Sequence, residues 1–401
     1  MAGPTRRRLL GASVGLAATG IASARAQRGK LGERLYALVE EYARWPHHRT
    51  GTPEGKATVD WFVGQLRKFG ANAQRWPYTY ERYDHRISVK VRGRTIEALP
   101  LFYSTYGEFK SDKPFVRPVT LDDNIDVKDI VAALREAQAA RAPLVILPTF
   151  GRMGGAAAAS MLIGVDIDPD APLSRGPTLL VAGDHVQALT VGPTEIVLNA
   201  RKFTERDEIV IARLGDAVGV PTVITVPLTS WFTAAAERGS AIAVALEVAI
   251  NLSKIMPITV IGTTGQELDA YGVRRLVAAQ PTLEAYAILH VGSAVGAGVR
   301  GKDGKLVAAT TRWAASSRPA DDRTPLGGAL RKGGFTVTPR FGLEAAAWAK
   351  TAGKDIPVLS FTGLFPQFHT PGDLPETTTS PALMEAAYDA VYDAARALTA
   401  L

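Results

Sequence analysis

Apolar positions along the chain fall into three regimes, and the first is helical. Leu31, Leu35, Leu38, Val39 and Tyr42 recur at three- and four-residue steps, which predicts a helix over 31–45. A turn follows at Pro46-His47-His48-Arg49-Thr50-Gly51-Thr52-Pro53, in which His47 and His48 read as a solvated pair. Val59, Phe62, Val63, Leu66 and Phe69 then mark a second amphipathic helix over 54–69, stopped by Gly70. Alternating strands are expected over 73–98.

The third regime begins at Glu208, where apolar runs become nearly continuous. Ile209–Leu214, Thr222–Val226, Pro257–Thr263, Tyr286–Val291, Phe335–Thr338 and Ile356–Phe361 read as strands. Helical patterns occupy 234–254, 269–279, 343–352 and 380–400 between and after them. Strands apolar on both faces and alternating with helices predict an α/β fold with a mostly parallel central sheet covered on both sides.

Residues 98–205, the middle regime, are rich in proline, glycine and small side chains, with short strands at 142–147 and 177–182. They read as a β-rich module inserted into a larger domain formed by 27–97 and 206–401.

The N-terminus changes the interpretation of charge. Thr5-Arg6-Arg7-Arg8-Leu9-Leu10, an apolar stretch from Gly11 to Ile21 and Ala24-Arg25-Ala26 fit a twin-arginine signal peptide over 1–26. The apolar stretch falls short of the ~20 residues of a membrane span. A periplasmic or secreted protein without a membrane anchor is therefore expected. Arg6, Arg7, Arg8 and Arg25 leave with that leader, which takes the net charge from +7 to +3. Nucleic-acid binding gains no support from so small an excess. The chain has no cysteine, which excludes disulfides, thiol chemistry and lipoprotein anchoring.

Parallel sheets gather ligands at the carboxyl ends of their strands. Those ends hold Pro227-Leu228-Thr229, Gly265-Gln266-Glu267, His290, and His369 in Phe368-His369-Thr370-Pro371-Gly372-Asp373-Leu374-Pro375. Pro371 and Pro375 stiffen the last segment by fixing φ, and a histidine displayed there is a candidate ligand or base. Glu237 opens the long helix after Thr229. Each residue also has a simpler role: Glu237 and Glu267 suit helix N-termini, and His290 suits a hydrogen-bonded core. There is no Gly-x-Ser-x-Gly, His-Glu-x-x-His or P-loop pattern.

Together these segments resemble the aminopeptidase Y family of two-zinc metallopeptidases, which includes glutamate carboxypeptidase and the transferrin receptor. Thr50-Gly51-Thr52-Pro53 is similar to the family's opening segment, and 98–205 resembles its protease-associated insert, best at Gly176–Gly183. The resemblance implies a zinc-exopeptidase fold. It also implies that Pro227 replaces a metal-binding histidine and Thr229 its supporting aspartate. By the same correspondence Glu237 stands for the bridging aspartate, Gln266 for the general base, and Glu267 for a ligand glutamate. His290 stands for a later metal-binding aspartate, and His369 for the final histidine.

Proline has no side-chain lone pair, and glutamine cannot take a proton from a metal-bound water. The implied metal set is thus Glu237, Glu267 and His369, with His290 as a fourth ligand or substitute base beside Gln266. It would hold one zinc or other divalent ion at most, or none. Beside a purely structural interaction module that presents the insert, two functions stay open. One is an exported relative that binds a peptide or protein with weak or no hydrolysis. The other is a single-metal aminopeptidase or amide hydrolase with a rearranged base.

Overall fold

The computed structural model describes residues 30–400, so the expected leader at 1–26 lies outside the described residues. Helix α1 spans 30–42 and α2 spans Pro53–Lys68. Pro53 occupies the first turn of α2, and the Thr52 hydroxyl caps it by accepting from Gly55 N–H at 3.1 Å.

A ten-stranded mixed sheet forms the centre. Its main strands are β1 Asn72–Val91, β2 Thr194–Leu214, β3 Thr222–Pro227, β4 Ile258–Thr263 and β5 Ala287–Val291. They continue with β6 Arg312–Ser316, β7 Thr336–Thr338 and β8 Val358–Gly363. Across the sheet the order is β7-β6-β8-β5-β3-β4-β2-β1. The expected parallel pairing holds for β4, β3, β5 and β8, while β2 and β6 flank them antiparallel. Every residue of β3, β4 and β5 is buried, as continuous apolar runs require.

Helix α3, Ser240–Leu252, is apolar nearly all round and lies in the middle of one core, with α1, α2 and α7, Pro381–Thr399. Helices α4, Tyr271–Ala279, and α6, Leu343–Ala352, pack on the other face. Alternation along β3 divides the cores: Ile224 and Val226 join the first, and Val223 joins the second.

Sequence periodicity missed β6 and the helix α5, Pro325–Lys332. It also split what is one 20-residue strand, β1, into several. No helix of the described residues is long and apolar enough to cross a membrane.

The segment after β1 builds a six-stranded sheet of its own, centred on Val145–Arg152 and Thr178–Ala182, with a helix at Lys128–Ala139. The expected boundary at 205 nevertheless falls inside β2, whose 21 residues run from this segment into the main sheet. One apolar cluster joins Leu179 and Ile146 of the segment to Ile209, Ile288 and Val358 of the main sheet.

Candidate functional site

Beyond β3 the chain passes Pro227 and Thr229 to a left-handed Ala234 (φ 50°) and a π-helical turn at Ala235–Gly239. Both features cost backbone energy and tend to occur where side chains must be aimed. Asp373 holds this turn. Its carboxylate accepts from Ala236 N–H at 2.8 Å and Glu237 N–H at 2.9 Å, and from the Thr378 hydroxyl at 2.7 Å. His369 is itself left-handed (φ 59°), stacks on Phe368, and brings Nε2 to 3.4 Å from Glu237 Oε1. The turn from 369 to 373 therefore fixes Glu237 by backbone and side chain together.

Glu237 has further partners. Ser230 donates its hydroxyl at 3.0 Å, and Arg238 Nη2 lies 3.2 Å from Oε1. Burial opposes ionisation of Glu237, but the charges of His369 and Arg238 outweigh it and bring the carboxyl down to about 2. Burial likewise works against a charged His369, yet the carboxylates of Asp166 and Glu237 raise it. Asp166 comes from the segment between β1 and β2; its Oδ1 sits 3.9 Å from His369 Nε2 and accepts from Trp231 Nε1 at 2.8 Å.

Glu267 is held elsewhere. Its Oε1 accepts from Thr50 N–H at 2.6 Å, and its Oε2 from the Thr229 hydroxyl at 2.7 Å. The same hydroxyl accepts from Gly265 N–H at 3.0 Å and shapes the turn that carries Gln266. Burial raises Glu267, against the pull of those bonds.

His290 is the cross-strand partner of Thr225, whose Oγ1 is 2.8 Å from His290 Nδ1. Burial first, and then the charge of Arg238, lower His290 to about 3, so the ring is neutral. Gln266 and His290 line one cleft of about 370 Å³ with Pro227, Arg238, Glu344 and His369. The structure thus brings Gln266, His290 and His369 to one cleft, with Glu237 held against His369 and Glu267 tied to the Thr229 hydroxyl.

The implied metal does not fit this arrangement. Among the described residues, no group of three or more His, Asp or Glu side chains is placed to hold an ion. This corrects the expected set Glu237, Glu267, His290 and His369. Glu237 is paired with a guanidinium, Glu267 is engaged by two donors, and His290 has Nδ1 committed to Thr225.

Several contributors escaped sequence reading. Arg238 directly follows Glu237, and a cation next to an expected ligand was a visible warning. Glu344 is buried, accepts from the Thr263 hydroxyl, and is pushed up to about 7 by burial. Nothing local marks Glu344 or Asp166. His48, expected to be solvated, is fully buried between Tyr42 and Thr58, with Nδ1 2.6 Å from Thr58 Oγ1.

No family model matches the sequence, and no curated protein does. Solved structures do match. A zinc aminopeptidase from Bacillus subtilis aligns with TM-score 0.67 over 91% of this chain and 94% of its own, at 16% identity. The chain has the fold of the zinc aminopeptidases. A peptidase precursor from Shewanella amazonensis aligns with TM-score 0.64 over 93% and 96% of the two chains, at 13% identity. An aminopeptidase from Aneurinibacillus gives 0.57 over 92% and 93%, at 16% identity. At such identities the likeness concerns the fold, and the strand-end residues are judged by their own geometry.

Proposed function

We propose that the chain is a metallopeptidase-like protein that binds a peptide in this cleft with weak or no hydrolysis. The observation that carries this reading is Gln266, whose Oε1 is buried at the cleft without a hydrogen-bond partner. An amide cannot serve as a general base, a role worth ~10²–10⁴ in rate. It can accept a peptide N–H, and filling an unmet buried acceptor recovers about 1–3 kcal/mol.

The rest of the cleft suits such a ligand. Its volume of about 370 Å³ lies in the range of ligand pockets. Trp313, Phe341, Leu364 and Phe368 supply apolar walls, and Arg340 at the rim is exposed with no ion-pair partner among the described residues. The competing single-metal hydrolase requires Glu237, Glu267 and His369 on one ion, and the bonds that hold Glu267 speak against it. The twin-arginine leader read at 1–26 supports action in the periplasm or outside the cell.

Titration with a peptide library tests the proposal, read by the fluorescence of Trp313 with Trp313→Phe as control. A parallel panel of aminoacyl and dipeptide reporters is run with zinc, cobalt or manganese. Saturable quenching without metal-dependent turnover is expected. Turnover that needs metal and disappears in His369→Ala and Glu267→Ala would overturn the reading.

A further inference from the structure

We propose that Arg238 is the resident cation of the cleft: its guanidinium takes the charge of Glu237 that a divalent ion would otherwise need, and so keeps such an ion out. The proposal concerns only the cation at Glu237 and holds whichever ligand the cleft accepts.

The geometry of one side chain carries the argument. Arg238 Nε donates to Thr229 O at 3.2 Å, Nη1 donates to Gly292 O at 2.7 Å, and Nη2 faces Glu237 Oε1 at 3.2 Å. The three contacts come from the loop after β3, the loop after β5 and the π turn, so the planar fork ties together three strand-end segments. Lysine, a single point charge, could not span them. The side chain is 4% exposed, and that of its partner Glu237 is 2% exposed. A buried charge is tolerated only when paired and hydrogen-bonded, and here both conditions are met from within the chain.

The same geometry bars a second cation. A zinc ion sits about 2 Å from its oxygen and nitrogen donors. An ion on Glu237 Oε1 would have to share that oxygen with a guanidinium fixed by two carbonyls. Arg238 also lines the cleft, as do Pro227 and His290. Bringing an ion in would mean expelling a buried guanidinium and leaving the carbonyls of Thr229 and Gly292 unpaired. Removing Arg238 does the reverse: it leaves Glu237 Oε1 beside His369 Nε2, 3.4 Å away, with no guanidinium on that oxygen.

Zinc content after equilibrium dialysis, together with the zinc dependence of the melting temperature, tests the assignment. The comparison is wild type against Arg238→Ala, with Arg238→Ala/Glu237→Gln as control. The expected result is no stoichiometric zinc and no thermal shift in wild type. Arg238→Ala should gain bound zinc and a zinc-dependent rise in melting temperature, and the double variant should lose both. Zinc bound stoichiometrically by wild type and lost in Glu237→Gln would overturn the proposal. So would a folded Arg238→Ala that takes up no zinc. If Arg238→Ala fails to fold unaided, its refolding yield with and without zinc reads the same quantity. Zinc-dependent recovery supports the proposal, and equal recovery overturns it. Peptide binding is not among these readouts, so this inference and the functional reading fail separately.

Discussion

The side-chain amide of Asn124 donates to the carbonyl of Phe368 at 2.9 Å, across 244 positions of sequence. Its second hydrogen goes to Pro366 O at 3.0 Å. Gly164 N–H adds a third link, to His369 O at 2.8 Å. The segment between β1 and β2 is therefore part of the frame that sets His369, and it supplies Asp166 to the same cleft.

Asn124→Ala would leave two carbonyls without donors in a buried seam. A destabilisation of about 1–3 kcal/mol is expected. Hydrogen exchange should quicken over 364–373 while α3 keeps its protection. Equal loss of protection in both places would show that the amide does not act locally.

Gly164→Ala probes the same seam by volume. A Cβ there would fall 2.4 Å from Trp231 Cγ, against an indole already bonded to Asp166. Overpacking of this kind costs about 1–3 kcal/mol, to be read by denaturant unfolding. An unchanged midpoint would mean that Trp231 is free to shift.

Thr229→Asp, the change that would copy the family pattern, is expected to harm this protein. The Thr229 hydroxyl donates to Glu267 Oε2, and a carboxylate in its place would face a buried carboxylate. Loss of a buried donor with a like charge added should cost at least about 1–3 kcal/mol. Thr229→Ser, which keeps the hydroxyl, should melt close to wild type. A Thr229→Asp variant as stable as Thr229→Ser would contradict this account.

Glu344 gives stability a pH dependence. Its folded value of about 7 lies above the ordinary 4.5, so the folded chain holds a proton that the unfolded chain has released between those values. Stability from this group is thus greatest at low pH and falls as pH rises toward 7, by roughly 3 kcal/mol in full. Glu344→Gln should melt above wild type at pH 8, with the gap closing near pH 4. A gap of the same size at both pH values would rule out titration of Glu344 as its source.

The parallel centre of the sheet was legible because β3, β4, β5 and β8 are apolar on both faces, a pattern that depends only on burial. β6, Arg312-Trp313-Ala314-Ala315-Ser316, was not, because a five-residue strand with two adjacent alanines buried between partly buried Arg312, Trp313 and Ser316 shows no alternation. At the cleft, sequence order pointed to the strand ends: Gln266, His290 and His369 line it, and Glu237 lies against His369. It could not reveal hydrogen-bond partners. Whether Glu267 serves an ion or a turn depends on Thr50 and Thr229, which lie 217 and 38 positions away. Arg238 drew no reading for a related reason: its burial and its partners Thr229 and Gly292 are set by the fold.

The β1–β2 ribbon has a mechanical implication. Its register runs unbroken from Asn72 with Arg213 to Val91 with Thr194, so one long ribbon of the main sheet carries both ends of the segment between them, whose own sheet packs against the main one through a shared apolar cluster. Melting one sheet would strip the other of the apolar cluster they share. The protein should therefore come apart in a single step, and a protease should not be able to release residues 98–205 as a fragment that stays folded.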